Sequence, residues 1–169
     1  MDVVALGELL IDFTENGVSG QGNPLFEANP GGAPCNVLAM LSRLGHRTAF
    51  IGKVGNDFFG KQLEQTIIDV GIDASGLQKD DDVHTTLALV HTYPDGDRDF
   101  SFYRDPGADM MLTADEVNPE VVKDTKVFHF GTLSMTHEGV REATKKAVET
   151  AKANGLSLIH ISEPTRHSL

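Results

Sequence analysis

Gly31-Gly32-Ala33-Pro34-Cys35-Asn36-Val37-Leu38-Ala39-Met40-Leu41-Ser42-Arg43-Leu44-Gly45 decides how the rest of this chain reads. A glycine pair runs straight into an amphipathic helix. Val37, Met40, Leu41 and Leu44 recur at helical spacing and predict a core-facing stripe. Pro34 suits the first helical turn, where its missing N–H costs nothing, and Gly45 marks the stop. Lacking Cβ atoms, Gly31 and Gly32 allow a ligand to approach the backbone. The helix N-terminus behind them is expected to offer unpaired N–H groups to a polar or anionic ligand. Asn36 could present both a donor and an acceptor to it. The same residues also fit a plain glycine turn feeding a buried helix, so the flanking segments arbitrate.

Upstream lies Val3-Val4-Ala5-Leu6-Gly7-Glu8-Leu9-Leu10-Ile11-Asp12-Phe13, read as one buried strand ending in an acid. Downstream lies Phe50-Ile51-Gly52-Lys53-Val54-Gly55-Asn56-Asp57-Phe58-Phe59-Gly60. In this order and spacing the three segments resemble the N-terminal half of the ribokinase-like (PfkB) carbohydrate kinases, most nearly the bacterial fructokinases. The likeness covers roughly residues 1 to 155.

Composition sets the outer bounds. The chain has 169 residues, 40% of them hydrophobic, and a net charge of −11. That charge argues against nucleic acid or an anionic membrane surface as a partner. A single cysteine, Cys35, excludes an intrachain disulfide and reads as a small helix residue. No apolar run reaches membrane-spanning length, and no charged-then-apolar leader precedes the first strand, so a cytoplasmic protein is expected. The seven histidines are scattered, without HExxH or a Cys/His pairing, so no metal site is expected. His129, within Val127-Phe128-His129-Phe130, reads as a core or strand-end histidine. Neither a GxxxxGK[ST] loop nor a GxSxG elbow occurs.

Strand and helix patterns alternate along the chain and predict an α/β, doubly wound, mainly parallel sheet. Thr48 to Val54 and Lys126 to Phe130 read as buried strands. Asp57 to Val70 reads as a helix with Phe59, Leu63, Ile67 and Val70 on one face. Thr136 is expected to cap a helix running to Asn154, with Val140, Ala143, Ala147, Val148 and Ala151 inward. Thr113-Ala114-Asp115-Glu116 fits a capping box. Residues Thr14 to Asn29 read as loop, with a short strand at Leu25 to Ala28. Leu87 to Tyr93 and Asp99 to Arg104 form a hairpin around Pro94-Asp95-Gly96-Asp97. In the resembled family such strands, here within about 9–30 and 87–104, build a small antiparallel lid sheet over the sugar.

The resemblance implies an ATP- and magnesium-dependent sugar kinase, with fructose the leading acceptor. Alternatives are 2-keto-3-deoxygluconate or another sugar or nucleoside, and, in a different class, a non-catalytic carbohydrate-binding protein on the kinase fold. The family's catalytic aspartate follows a Gly-Ala-Gly-Asp-like tract that does not occur here, so no catalytic residue is assigned and the chain as written is expected to be inactive. Gene sequence beyond residue 155 would discriminate kinase from binder. Residues 1–155 are read as the N-terminal part of a PfkB-type domain. Leu156 to Ile161 could pair as a strand, and 156–169 reads as an atypical tail resembling translated sequencing-adapter read-through.

Substrate-binding residues are expected at Asp12, Gly31, Gly32, Asn36, Phe100, Phe102 and Arg104. Asp12 suits acceptance of hydrogen bonds from two hydroxyls, although alone it fits a turn or cap. Phe100 and Phe102 share one face of their strand and could cover a sugar's C–H face or simply pack lid against body. Arg104 could reach a hydroxyl, carboxylate or keto group, or sit in solvent. Asp109 matches a family position near the pocket and ranks lower, and Lys53 and Asp57 are expected to shape the fold. A small-molecule sugar and a second copy of the chain, paired through the lid, are the expected partners.

Overall fold

The computed structural model describes residues 1–93 and 95–160; Pro94 of the hairpin turn, Ile161 of the expected last strand and the atypical part of the tail lie outside them. Nine strands and four α-helices follow in order: β1 (Val3–Leu6), β2 (Leu10–Val18), β3 (Pro24–Gly31), α1 (Ala33–Arg43), β4 (Thr48–Gly55), α2 (Phe58–Asp69), β5 (Ile72–Asp80), β6 (Leu87–Thr92), β7 (Arg98–Tyr103), α3 (Pro119–Lys123), β8 (Val127–Phe130), α4 (Glu138–Ala153) and β9 (Ser157–His160). Short 3-10 turns span Ala108–Met111, Ala114–Glu116 and Leu133–Met135.

Two sheets result. The larger has the order β5-β4-β1-β8-β9 and is parallel throughout. Successive residues of a strand face opposite ways, which here builds two cores. Val4, Leu6, Ala49, Ile51 and Phe128 pack under α4, whose Val140, Ala143, Ala147 and Ala151 are all buried. Ala5, Phe50 and Val54 pack under α1 and α2 with Cys35, Leu38, Leu63 and Ile67. Coverage on both faces explains why β1 reads as a continuous apolar run and β4 as one interrupted at Lys53.

The smaller sheet has the order β3-β2-β6-β7. Its outer pairings are antiparallel, but the central one, β2 with β6, is parallel, so the sheet is mixed rather than wholly antiparallel. The chain makes a full excursion through α1, β4, α2 and β5 between those strands, and such a return permits parallel pairing.

Several local expectations change. Leu10 to Gly31 form a long hairpin, within the stretch expected to hold lid strands; of the loop expected at Thr14 to Asn29, Thr14 to Val18 and Pro24 to Asn29 are strand, because pairing in register overrides the polar, glycine-containing sequence Thr14-Glu15-Asn16-Gly17. The segment Val3 to Phe13 is two strands, broken at Gly7-Glu8-Leu9, so Asp12 lies within β2 of the small sheet instead of ending the first strand. Glycine is required at the break: a Cβ on Gly7 would lie 2.4 Å from Pro34 Cγ. In α1 the buried face is Pro34, Cys35 and Leu38, while Met40 and Leu44 are 57% and 67% exposed. The apolar stripe is therefore rotated away from the core face. His137, not Thr136, occupies the N-cap of α4, and the Thr136 hydroxyl donates to Leu133 O at 2.8 Å. No helix among the described residues is long and apolar enough to cross a membrane.

Candidate sugar-binding cleft

Strand alternation gives the small sheet one concave face. Leu10, Asp12 and Thr14 of β2 share it with Asn29 of β3, Val90 of β6, and Arg98, Phe100 and Phe102 of β7. Register brings them together: Asp12 stands opposite Asn29 and Ala88, Thr14 opposite Val90, and Val90 opposite Phe100. Across from this face lie Glu8, the first turn of α1 with Gly32, Ala33, Asn36 and Val37, and the segment after β8 with Gly131, Thr132 and Leu133. The cleft between them is open and about 610 Å³ in volume. It sits over the carboxyl ends of β1 and β8, where the strand order reverses, the place where open α/β sheets bind ligands.

Five of the seven residues expected at the site line this cleft, and a sixth, Gly31, abuts one of them, Asp12. The Asp12 carboxylate is half-buried, and burial pushes its pKa up. Gly31 abuts it, since a Cβ at residue 31 would lie 2.1 Å from Asp12 Oδ2. Gly32 has φ +126°, and a Cβ there would lie 2.3 Å from the Glu8 carbonyl oxygen. Both glycines are thus obligatory, one to make room for a carboxylate and the other to make the turn. Asn36 is exposed at the rim. Phe100 and Phe102 stack with centroids 6.0 Å apart and remain 46% and 51% exposed toward the cleft.

Arg104 is placed differently. Its Nε and Nη2 donate to Asp109 Oδ2 at 2.8 and 2.7 Å, Nη2 also reaches Leu133 O, and Nη1 reaches Thr136 Oγ1. Asp109 Oδ1 accepts from Thr86 Oγ1 at 2.5 Å. Arg104 therefore clasps the end of β7 to the body and does not line the cleft. Asp109 is equally committed. Lys53 and Asp57 do shape the fold. Lys53 bridges Asp80 and Glu116 at 3.1 and 2.8 Å. Asp57 caps α2 through Gly60 N and accepts from the Thr85 amide and hydroxyl, each at 2.8 Å.

Glu8, Thr14, Asn29 and Arg98 escaped sequence reasoning. For Glu8 a signal existed: an acid beside a glycine inside an apolar run. Its Oε1 accepts from the Ala33 amide at 2.8 Å, so the first free N–H of α1 is already used by a protein carboxylate. The helix terminus does not stand open to an anion. Burial raises the Glu8 pKa against the opposing effect of its backbone hydrogen bonds. His129 is buried, as expected, yet also borders the cleft. Burial lowers its pKa, and its Nδ1 lies 3.0 Å from the Ile159 carbonyl, which can only accept, so the neutral ring carries its proton on Nδ1. Burial, with the Glu8 charge nearby, pushes the Cys35 thiol up to about 12, which excludes it as a nucleophile at neutral pH.

A match to the description "pfkB family carbohydrate kinase" spans residues 1–166. The chain belongs to the pfkB family. It is 48% identical over 158 residues to fructokinase-1 of Zea mays, covering 92% of this chain and 49% of the maize protein. Probable fructokinase-3 of Arabidopsis thaliana is 47% identical, with 92% and 46% covered. Among solved structures, fructokinase from Xylella fastidiosa superposes with a TM-score of 0.87 at 31% identity, over 94% of this chain and 49% of that one. A putative ribokinase II from E. coli, in complex with ATP and Mg2+, gives 0.85 at 31%, over 94% and 52%. The chain spans about half the length of the curated relatives it matches. The ribokinase-like fold is thereby established for the described residues.

Proposed function

We propose that this chain supplies the acceptor-sugar site of an ATP- and magnesium-dependent fructokinase. The observation that carries it is the cleft itself, where a half-buried Asp12, without a hydrogen-bond partner among the described residues, shares the sheet face with a stacked aromatic pair, opposite a glycine turn. A carboxylate accepts hydrogen bonds from adjacent hydroxyls, and aromatic rings cover the apolar C–H face of a sugar. Asn36, Gly31 and Gly32 complete the polar side. The fructokinase names of relatives at 47–48% identity favour fructose over other acceptors. We place the protein in the cytoplasm and pair two copies through the small sheet.

Chemically, the cleft contributes positioning. Holding a hydroxyl in line for attack converts a bimolecular encounter into an oriented one, which is a large part of phosphoryl-transfer catalysis. Among the described residues no group of three or more His, Cys, Asp or Glu side chains is arranged to hold a metal ion, and the sequence has no GxxxxGK[ST] loop. These residues do not fit a magnesium site, and what they offer is the positioning of the acceptor.

Calorimetric titration of fructose into the chain tests the reading. Asp12→Ala is expected to weaken binding roughly ten- to a hundredfold, the equivalent of about 1.5–3 kcal/mol for a hydrogen bond to a charged group. Unchanged affinity in a folded Asp12→Ala protein removes Asp12 from the site.

A further inference from the structure

Glu8 is only 3% exposed, yet it is an acid placed in the wall of the cleft. One of its oxygens is accounted for: Oε1 accepts from the Ala33 amide at the start of α1. The other, Oε2, is buried and has no hydrogen-bond partner among the described residues. Beside it stands Gly131, where a Cβ would come within 3.3 Å of that oxygen and 2.8 Å of Pro34 Cγ. Glycine at 131 keeps a side chain out of the space beside Oε2. Buried polar atoms are almost always satisfied, and an orphaned acceptor in a ligand cleft marks a bond that the ligand completes.

We propose that Glu8 Oε2 is a second sugar contact, accepting a hydrogen bond from a hydroxyl other than those held by Asp12. The proposal rests on the sugar-binding reading of the cleft and adds a specificity-determining residue to it. Two carboxylates on opposite sides of the cleft outnumber its lining arginine, Arg98, and favour a neutral polyol, which brings hydroxyl donors, over a ligand that brings further negative charge between them. Glu8 would then do two jobs with its two oxygens, fixing the glycine turn through Ala33 and reading the sugar through the other. A role limited to capping α1 would leave Oε2 unused.

Glu8→Gln separates the two roles. Its amide oxygen can still accept from Ala33, while an NH2 group replaces Oε2. We expect the fructose dissociation constant to rise tenfold or more. The thermal midpoint should be unchanged or higher, because a buried charge has been removed. Among fructose analogues each lacking one hydroxyl, one should bind wild type and Glu8→Gln equally, and it should differ from the analogue that is insensitive to Asp12→Ala. Fructose affinity within twofold of wild type in Glu8→Gln, with Asp12→Ala impaired, overturns the proposal and leaves Glu8 a helix cap. Should Glu8→Gln fail to fold, the 13C resonance of the Glu8 carboxyl in the unmodified chain decides. Movement on adding fructose supports the contact, and a static Glu8 signal beside a shifting Asp12 signal refutes it. Absence of any fructose binding by wild type overturns the sugar reading and this proposal with it.

Discussion

Gly31→Ala isolates the geometry of the cleft from the stability of the fold. The new Cβ would lie 2.1 Å from Asp12 Oδ2 and 3.2 Å from Leu10 Cδ1, whereas ordinary contact begins near 3.4 Å. The carboxylate must therefore retreat by roughly 1.3 Å, and misplacement of about that size can cost a hundredfold in a positioned site. Asp12 is the movable end of a half-buried side chain, and Gly31 has no positive φ, so the fold can yield there at small cost. We expect fructose affinity to fall ten- to a hundredfold, matching Asp12→Ala, with stability changed by less than about 1 kcal/mol. Gly32→Ala is the contrasting control. Its φ of +126° and its 2.3 Å approach to the Glu8 backbone oxygen cannot be relieved by a side-chain rotation. It should destabilise by about 2–4 kcal/mol. Calorimetry with fructose and urea unfolding of both variants provide the comparison. Wild-type affinity in a folded Gly31→Ala protein would refute the close pairing of Gly31 with a functional Asp12.

Other perturbations probe the supports of the cleft. Arg104→Ala strands the Asp109 carboxylate, which is 3% exposed, and should cost about 3–5 kcal/mol in urea unfolding; full stability with lost sugar affinity would instead return Arg104 to the sugar. Lys53→Met unpairs Asp80 and Glu116 and should cost about 2–4 kcal/mol at pH 7, less than a fully buried pair because Glu116 is partly exposed. Burial alone would raise the pKa values of those two acids, but the hydrogen bonds and charge of Lys53, with further hydrogen bonds from the Asp82 and Val83 amides to Asp80 and from Thr113 to Glu116, outweigh it and lower both. Their stabilisation is therefore present above the ordinary carboxylate pKa and lost as pH falls through the lower native values, and Lys53→Met should flatten that acid limb of the stability profile. Val18, Leu25, Phe26 and Tyr103 leave apolar surface exposed on the small sheet, so light scattering at micromolar concentration should give a homodimer and Phe26→Asp a monomer; a monomeric wild-type chain would refute pairing through this sheet.

What the sequence disclosed, and what it withheld, follows from where each signal resides. The parallel core was legible because β1, β4 and β8 are covered on both faces and are written mostly in apolar letters, broken at Thr48, Lys53 and His129. The glycine pair and Asp12 were legible as a set, although the break at Gly7 that moves Asp12 into the small sheet was not. That break is a tertiary requirement, imposed by Pro34 packing against residue 7. The β2–β3 hairpin was hidden because its outer half is exposed, with apolar Val18, Leu25 and Phe26 in solvent beside the polar run Thr14 to Gly17, leaving no alternation to read. In α1 the small residues Pro34 and Cys35 carry the core contact, and the larger Met40 and Leu44 drew attention to the wrong face. Arg104 could be placed on its strand, but its choice of Asp109 over the cleft depends on a loop five residues further on. Glu8 was overlooked although an acid beside a glycine in an apolar run is a signal, because its place in the cleft wall follows from the break between β1 and β2.

The central claim is that a sugar occupies the cleft between the small sheet and the start of α1. Titrating fructose into 15N-labelled chain and following backbone amide shifts tests it most directly. The account predicts that Asp12, Gly31, Gly32, Asn36, Phe100 and Phe102 move together along one saturable curve. A second cavity, about 400 Å³ in volume, lies behind α1 against α2; Gly31 and Asn36 border it too, but Ala39, Arg43, Thr66 and Val70 line it and not the cleft. Shifts confined to those residues, or none at saturating fructose, would contradict it.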